Sequence, residues 1–263
     1  MAVWFIYLND MIRAVLQSIK AYADAFPMIN KLGLWRYFAI PIAISVLVAV
    51  GIGFAAYGLS DNLGAWISNI WPFEFGRETF EMIAEIIGAI LIVALGLIVY
   101  KAVVMALSAP FMSPVSEKIE AHLRPGEHYY RNTDFNDQLW RGIRINARNL
   151  FRELVWTVPI FFLGLIPVIG IVAPILLFCV QAYYAGFGNM DYTLERQFGY
   201  KDSIRFVKEH RGTAIGNGLV FMTVLIIPVV GLILVLPLSV TAASLRTVNI
   251  LEKEQFKLIE HAD

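Results

Sequence analysis

Cysteine is nearly absent from this chain. Cys179 is the only one, it sits inside an apolar run, and without a partner it excludes a disulfide framework and a thiolate metal cluster. Charge is scarce as well. Asp, Glu, Lys and Arg make up 16% of the 263 residues, and the 21 basic and 21 acidic side chains cancel, so no global field draws nucleic acid or another polyanion. The four histidines, His122, His128, His210 and His261, lie in polar segments with no paired spacing that suggests a metal, and read as solvated side chains. The sequence contains no His-Glu-x-x-His, Gly-x-Ser-x-Gly, GxGxxG or Walker-type loop. An enzyme is therefore disfavoured, and neither a cofactor nor a metal is expected.

What is abundant is apolar surface. At 58% apolar residues and a mean hydropathy of +0.65, the chain carries more of it than one water-soluble core of this length hides, and the bilayer is the expected solvent. Residues 1–37 scatter Arg13, Lys20, Lys31 and Arg36 among Leu8, Met11, Ile12, Val15, Leu16 and Ile19 at helical spacing. That pattern predicts an interfacial helix rather than a cleavable signal, which would place its cations before one apolar block. Phe38 to Leu59 is a charge-free stretch of 22 residues, about 33 Å of helix, and predicts a first crossing with Pro41 in its first turn. A second crossing is expected from near Thr79 to about 110. Glu85 and Lys101 lie toward its two ends and are read as anchors that snorkel to the headgroups.

Two longer apolar stretches, 154–190 and 212–245, are too long for one pass and short for two. Each is interrupted by the same kind of tetrapeptide, Pro167-Val168-Ile169-Gly170 and Pro228-Val229-Val230-Gly231. Proline removes a donor and glycine permits a reversal, so Pro167, Gly170, Pro228 and Gly231 are read as hairpin tips. The legs come to about 20–24 Å, below the roughly 30 Å of the hydrocarbon core, which favours re-entrant hairpins. Tips bent at membrane depth need protein or water around them, hence a homo-oligomer or tight bundle. The alternative is two full hairpins with kinked helices and six crossings. The expectation is thus an all-α integral membrane fold in one domain. Its parts are an interfacial helix and loop (1–37), two transmembrane helices (38–110), a cytoplasmic amphipathic segment (111–153), hairpin one (154–190), a cytoplasmic link (191–211), hairpin two (212–245) and a polar tail (246–263). Lys and Arg gather in 101–153 and 191–211 and nearly vanish from 60–81, which puts both termini in the cytoplasm.

Two local features offer chemistry. Arg141, Arg144, Arg148 and Arg152 recur at steps of three, four and four, on one face of a helix whose other face carries Trp140, Ile143, Ala147, Leu150 and Leu154. That stripe fits contact with anionic lipid, or a funnel that gathers small anions. Before the first crossing stands Lys31-Leu32-Gly33-Leu34-Trp35-Arg36. A glycine beside a helix start, with Arg36 as partner, suits an oxyanion; a helix cap followed by an anchor is the plainer reading of the same residues.

The chain resembles the CysZ/etoposide-induced-protein family of membrane proteins. The resemblance rests on Gly33-Leu34-Trp35-Arg36 with Pro41, Ser108-Ala109-Pro110-Phe111 leading into Glu117-Lys118-Ile119-Glu120-Ala121-His122-Leu123, Pro167-Val168-Ile169-Gly170 with Pro174, and Asp191-Tyr192 ahead of Arg211-Gly212. It implies two long transmembrane helices with two hemi-penetrating hairpins, and sulfate transport across the bacterial inner membrane for cysteine synthesis. It also implies an anion site of pattern Gly, apolar, Arg, Arg, matched by Gly33, Leu34 and Arg36, whereas Trp35 replaces the first arginine. Inward passage of a dianion against 100 mV is opposed by about 4.6 kcal/mol, so import needs consumption of sulfate or proton coupling, for which Glu85, Glu117 and Glu120 are the acidic candidates. A non-transporting scaffold that holds anionic lipid or partner proteins is the alternative function.

Overall fold

The computed structural model describes residues 2–68, 77–126, 134–164, 166, 169–227 and 230–260. Among them the chain is helical throughout, with no strand: α1 (Ala2–Lys31), α2 (Trp35–Ser68), α3 (Arg77–Leu123), α4 (Phe135–Gly164), a single 3-10 turn (Ile169–Ile171), α5 (Ala173–Leu194), α6 (Tyr200–Glu209), α7 (Arg211–Leu225) and α8 (Val230–Glu260). An all-α membrane fold is what the charge-free runs require, because only intrahelical hydrogen bonds satisfy the backbone in lipid.

Among the described residues three helices are long and apolar enough to span a bilayer: Trp35–Gly58 in α2, Leu95–Leu123 in α3 and Ile233–Gln255 in α8. Only 17% of the α2 window is buried, against 61% for α3 and 67% for α8, so α2 stands outermost with Leu47, Phe54 and Tyr57 turned outward. Several expected boundaries move. The helix α2 starts at Trp35, which puts Pro41 in its second turn. The helix that carries the expected second crossing runs on beyond 110: α3 passes through Pro110 and Pro114 as one 47-residue helix, with Met112, Val115 and Ile119 fully buried. Basic stripe and first hairpin leg form one helix, α4, and the expected polar tail continues α8 instead of standing apart.

The amphipathic pattern of α1 is resolved by its two sides. Leu8, Ile12 and Leu16 are exposed, while Ser18, Ala21, Ala25 and Ile29 are buried at helical spacing. The buried side meets α7 and α8. A Cβ on Gly212 would fall 2.6 Å from the Met11 carbonyl, and one on Gly216 would fall 2.4 Å from that of Val15, so the backbones of α1 and α7 run in close parallel contact.

The other face of α7 makes the closest glycine contacts among the described residues. Gly186 of α5 lies against the Ala214 carbonyl and Gly218 of α7 against the Ala182 carbonyl; an added Cβ would meet those oxygens at 1.8 and 1.7 Å. Ala182-x3-Gly186 and Ala214-x3-Gly218 are the same small-residue spacing used twice, antiparallel, each glycine opposite the other helix's alanine. In lipid, close packing of this kind and interhelical hydrogen bonds replace the hydrophobic force between helices. The bonds are present. Asn189 Nδ2 donates to Asn217 Oδ1 at 2.8 Å, Asn217 Nδ2 to the Ser239 carbonyl at 3.0 Å, and Tyr22 Oη to the Asn217 carbonyl at 2.7 Å, tying α1, α5, α7 and α8 together.

Of the four hairpin-tip residues, Pro167 and Pro228 lie outside the described residues. Gly170 donates its amide to the Ile166 carbonyl at 2.7 Å, and Gly231 to that of Ile227 at 2.8 Å, so both glycines stand at the turn between their helices. Each is pinned by close backbone approach: a Cβ on Gly170 would meet the Gly164 carbonyl at 2.6 Å and one on Gly231 the Val224 carbonyl at 2.5 Å.

Gly186→Ala and Gly218→Ala should each cost about 1–3 kcal/mol, because a methyl in that seam forces the helices apart. Gly51→Ala or Gly53→Ala on α2, with open space around the added carbon, should be neutral or mildly stabilising. Thermal unfolding of the four variants in detergent checks the contrast.

Candidate functional site

The turn between α1 and α2 is a helix cap of the Schellman type. Gly33 has φ +60°, its amide donates to the Asn30 carbonyl at 3.2 Å, and the Leu34 amide reaches back to the Ile29 carbonyl at 2.9 Å. Ile29 and Leu34, both fully buried, close the hydrophobic contact that accompanies this motif. The predicted residues are therefore adjacent in chain but different in duty. Gly33 supplies a backbone conformation that L side chains rarely adopt, Leu34 is a core anchor, and Arg36 alone projects outward. Gly33 and Leu34 spend their amides on α1. Those of Trp35 and Arg36, at the positive end of α2, have no backbone acceptor among the described residues.

Trp35 is committed to the cap. Its Nε1 donates to Asn30 Oδ1 at 2.7 Å, and its ring packs edge-on against Phe26 and Phe38. Beyond the cap the structure sets cations from separate helices against Tyr37 and His122. Arg36 donates to Tyr37 Oη at 3.1 Å with its guanidinium 5.0 Å from the ring centre, and Lys118 Nζ approaches the same ring at 5.7 Å. Lys31 Nζ lies 3.1 Å from His122 Nε2. Lys118 and His122 come from the last turns of α3, a segment the sequence pattern put in a separate cytoplasmic stretch. Nothing in the local spacing pairs them with Arg36.

The arginine stripe of α4 divides. Arg141 turns inward and grips Asp191 with Nε and Nη2 at 3.1 and 2.9 Å, and also donates to the Phe198 carbonyl and Ser203 Oγ at 2.8 and 2.7 Å. Arg144 lies 4.0 Å over the Tyr200 ring and Arg148 5.2 Å from the Phe187 ring centre. Arg144 and Arg152 are exposed and Arg148 half-buried, so Arg141 is a structural clamp and the other three border the surface. Trp140, Ile143 and Phe151, exposed on the remaining face, suit a helix lying at a lipid boundary.

Two buried ion pairs escaped the sequence reading. Lys101 is not a snorkelling anchor: it is 3% exposed, and its Nζ donates to both oxygens of Glu153 at 2.7 and 2.8 Å and to the Gln181 carbonyl at 3.3 Å, joining α3, α4 and α5. Arg196 donates to Glu120 Oε2 at 2.7 Å and to the carbonyls of Ser113 and Tyr192 at 3.3 and 3.1 Å, while Gln197 takes the other Glu120 oxygen. Glu120 is thus occupied by structure, and the side chain of Glu85 lies outside the described residues. The partners lie 52 and 76 residues apart, so no local pattern reveals them. His210, read as solvated, instead lies against Glu254 Oε1 at 3.1 Å, and His128 and His261 are outside the described residues.

Glu195 follows α5, outside the candidate spans, and is 3% exposed with Oε1 lacking a hydrogen-bond partner among the described residues. Burial raises its pKa to about 7, helped by Asp191 and opposed by a Ser113 hydrogen bond, Arg196 and Arg141.

The model of one family, described as Sulfate transporter CysZ/Etoposide-induced protein 2.4, matches residues 21–235, most of the chain. The chain belongs to that family. Among curated relatives, proteins named Sulfate transporter CysZ are 23% identical over 237 residues in Pseudomonas fluorescens strain Pf0-1, covering 88% of this chain and 92% of the relative. One from Pseudomonas syringae pv. tomato is 24% identical over 229 residues, covering 84% and 88%. The matched range takes in the α1–α2 turn, both ion pairs and the α5–α7 seam, while Ser239 and Glu254 lie beyond it.

Because the Glu195 pKa is raised on folding, its contribution to stability is fully present below the unfolded value near 4.5 and is lost as pH rises through about 7. The melting temperature of the wild type should therefore fall between pH 5 and 8 more steeply than that of Glu195→Gln, whose amide imitates the neutral acid. Lys101→Met should cost about 3–5 kcal/mol by leaving Glu153 buried and unpaired, and Lys101→Met with Glu153→Leu should recover much of it in thermal unfolding.

Proposed function

We propose that this protein is a sulfate or small-oxyanion permease of the bacterial inner membrane that supplies cysteine biosynthesis, entered at the α1–α2 turn. The observation that carries the reading is the meeting of Arg36 and Lys118 at the Tyr37 ring in the first turn of α2, with Lys31 against His122 one turn along α3 from Lys118, in a chain whose relatives are named sulfate transporters. Backbone donors, a guanidinium and ammonium groups are the donor set an oxyanion asks for. The family pattern loses a cation at Trp35, and Lys31 and Lys118 restore positive charge in space rather than in sequence. Gly33 makes the turn possible, Leu34 holds it to the core, and Arg36 is the contact residue. Arg144, Arg148 and Arg152 flank the same kind of basic surface on α4, where they draw anions or lipid phosphates.

The hairpins α4–α5 and α7–α8 shape the conduit as re-entrant elements, with both termini cytoplasmic. The shortness of α7 supports this: its 15 residues reach about 22 Å, less than the roughly 30 Å core, whereas α4, α5 and α8 are each long enough to cross. Exposed Ile171 and Ile226 beside the two turns call for neighbouring subunits or lipid to cover them, which favours a homo-oligomer.

Purified protein in liposomes should show saturable uptake of labelled sulfate. Arg36→Ala should weaken half-saturation by about one to two decades, the scale of one lost charge-assisted bond, with Arg36→Lys between. Uptake that is absent, or unchanged in Arg36→Ala, refutes the proposed entry site. In a Cys179→Ala background, cysteines at Ile171 and Ile226 should resist impermeant thiol reagents from outside; strong labelling of both replaces re-entrant hairpins with full crossings.

A further inference from the structure

Where α1 crosses the lower part of α8 and the end of α3, the surface opens into a groove of about 640 Å³. Three cations line it: Lys20 and Lys31 from α1 and Arg246 from α8. Asp24 is the lone carboxylate of the lining, and among the described residues no acid stands within ion-pair distance of any of the three cations. Arg246 is held by one bond, Nη2 to Gln17 Oε1 at 2.8 Å, and its Nε is shielded from solvent without an acceptor. Concentrating unpaired like charges on two helices is unfavourable unless an anion joins them.

The rest of the lining points to an amphiphile. Met28, Leu123 and Leu245 supply apolar walls, and Gln17 and Asn249 supply neutral donors. The volume falls within the range of small-molecule pockets and far exceeds one oxyanion. Beside the groove α1 turns Leu8, Ile12 and Leu16 outward, a stripe that lies in the acyl boundary when the helix rests on the cytoplasmic leaflet. A phosphodiester bearing two acyl chains meets both demands at once: its anion satisfies Lys20, Lys31 and Arg246, and its chains continue over the α1 stripe.

We propose that this groove is a binding site for the phosphodiester headgroup of an anionic phospholipid, through which one lipid joins α1 to α8. It is separate from the proposed sulfate entry, which lies at the amino end of α2. Lys31 borders both, so the test leaves it in place.

The full chain is purified in neutral detergent and titrated with phosphatidylglycerol, phosphatidylcholine or inorganic phosphate, while native mass spectrometry counts retained lipid and thermal unfolding follows stability. Phosphatidylglycerol should be retained and should raise the melting temperature, and the other two should do neither. Lys20→Gln with Arg246→Gln should weaken retention about thirtyfold, the effect of two interfacial charges, whereas Lys20→Arg with Arg246→Lys should keep it. Should the neutral pair fail to fold, Lys20→Gln alone, on an exposed position, should still show about a fivefold loss. Equal retention of phosphatidylcholine, unchanged retention in the Lys20 variants, or stabilisation by inorganic phosphate equal to that by lipid overturns the proposal. Sulfate flux plays no part in these readouts, so the lipid site and the permease reading stand or fall apart.

Discussion

In a bilayer an apolar helix face gains nothing by meeting another apolar face, so this protein depends on how closely α5 and α7 approach. Glycine against alanine carbonyl, twice and in antiparallel register, brings the two backbones into direct contact. From that seam the other contacts follow. The opposite stripe of α7, Gly212 and Gly216, receives α1, and Asn217 between the stripes bonds to Asn189 and to the Ser239 carbonyl. One short helix thereby seats three others.

Charge is handled by the same economy of space. Among the described residues three largely buried charges of each sign are matched, Lys101 with Glu153, Arg196 with Glu120 and Arg141 with Asp191, whereas the buried Glu195 is in no ion pair. The first two pairs tie α3 to the α4–α5 hairpin and its following turn, the third ties α4 to α5, and each brings further carbonyl or hydroxyl partners, which a buried charge requires to offset its lost hydration. The surface cations are treated differently. Arg36 and Lys118 meet at the Tyr37 ring, and Lys20 and Arg246 line a groove with Asp24, yet among the described residues none of the four is in an ion pair, so these surface cations are left available while those inside are neutralised.

Much of this was legible in the chain. Charge-free runs of bilayer length specify helices, their interruption by Pro-x-x-Gly specifies where those helices reverse, and the amphipathic spacing of 1–31 specifies a helix with one exposed apolar side. Gly33 was legible too, both as an oxyanion turn and as a cap; the geometry makes it a cap, with Arg36 three residues on exposed and bonded to Tyr37 Oη. Less legible were the limits of helices. Pro110 and Pro114 look like stops, yet α3 carries both, since burial against α5 and α8 stabilises a helix beyond local preference.

By itself, then, the sequence determined that the chain is a helical membrane protein, where its helices turn, and which family it belongs to, because hydropathy, backbone hydrogen bonding and glycine conformation act over a few residues. Tertiary structure alone decided that Lys101 is a buried clamp rather than an anchor, that Arg141 leaves its stripe to hold Asp191, and that Lys118 joins Arg36 over one tyrosine ring. A charge's role is set by the nearest opposite charge or ring in space. When that partner lies fifty or more residues away, only packing brings the two together.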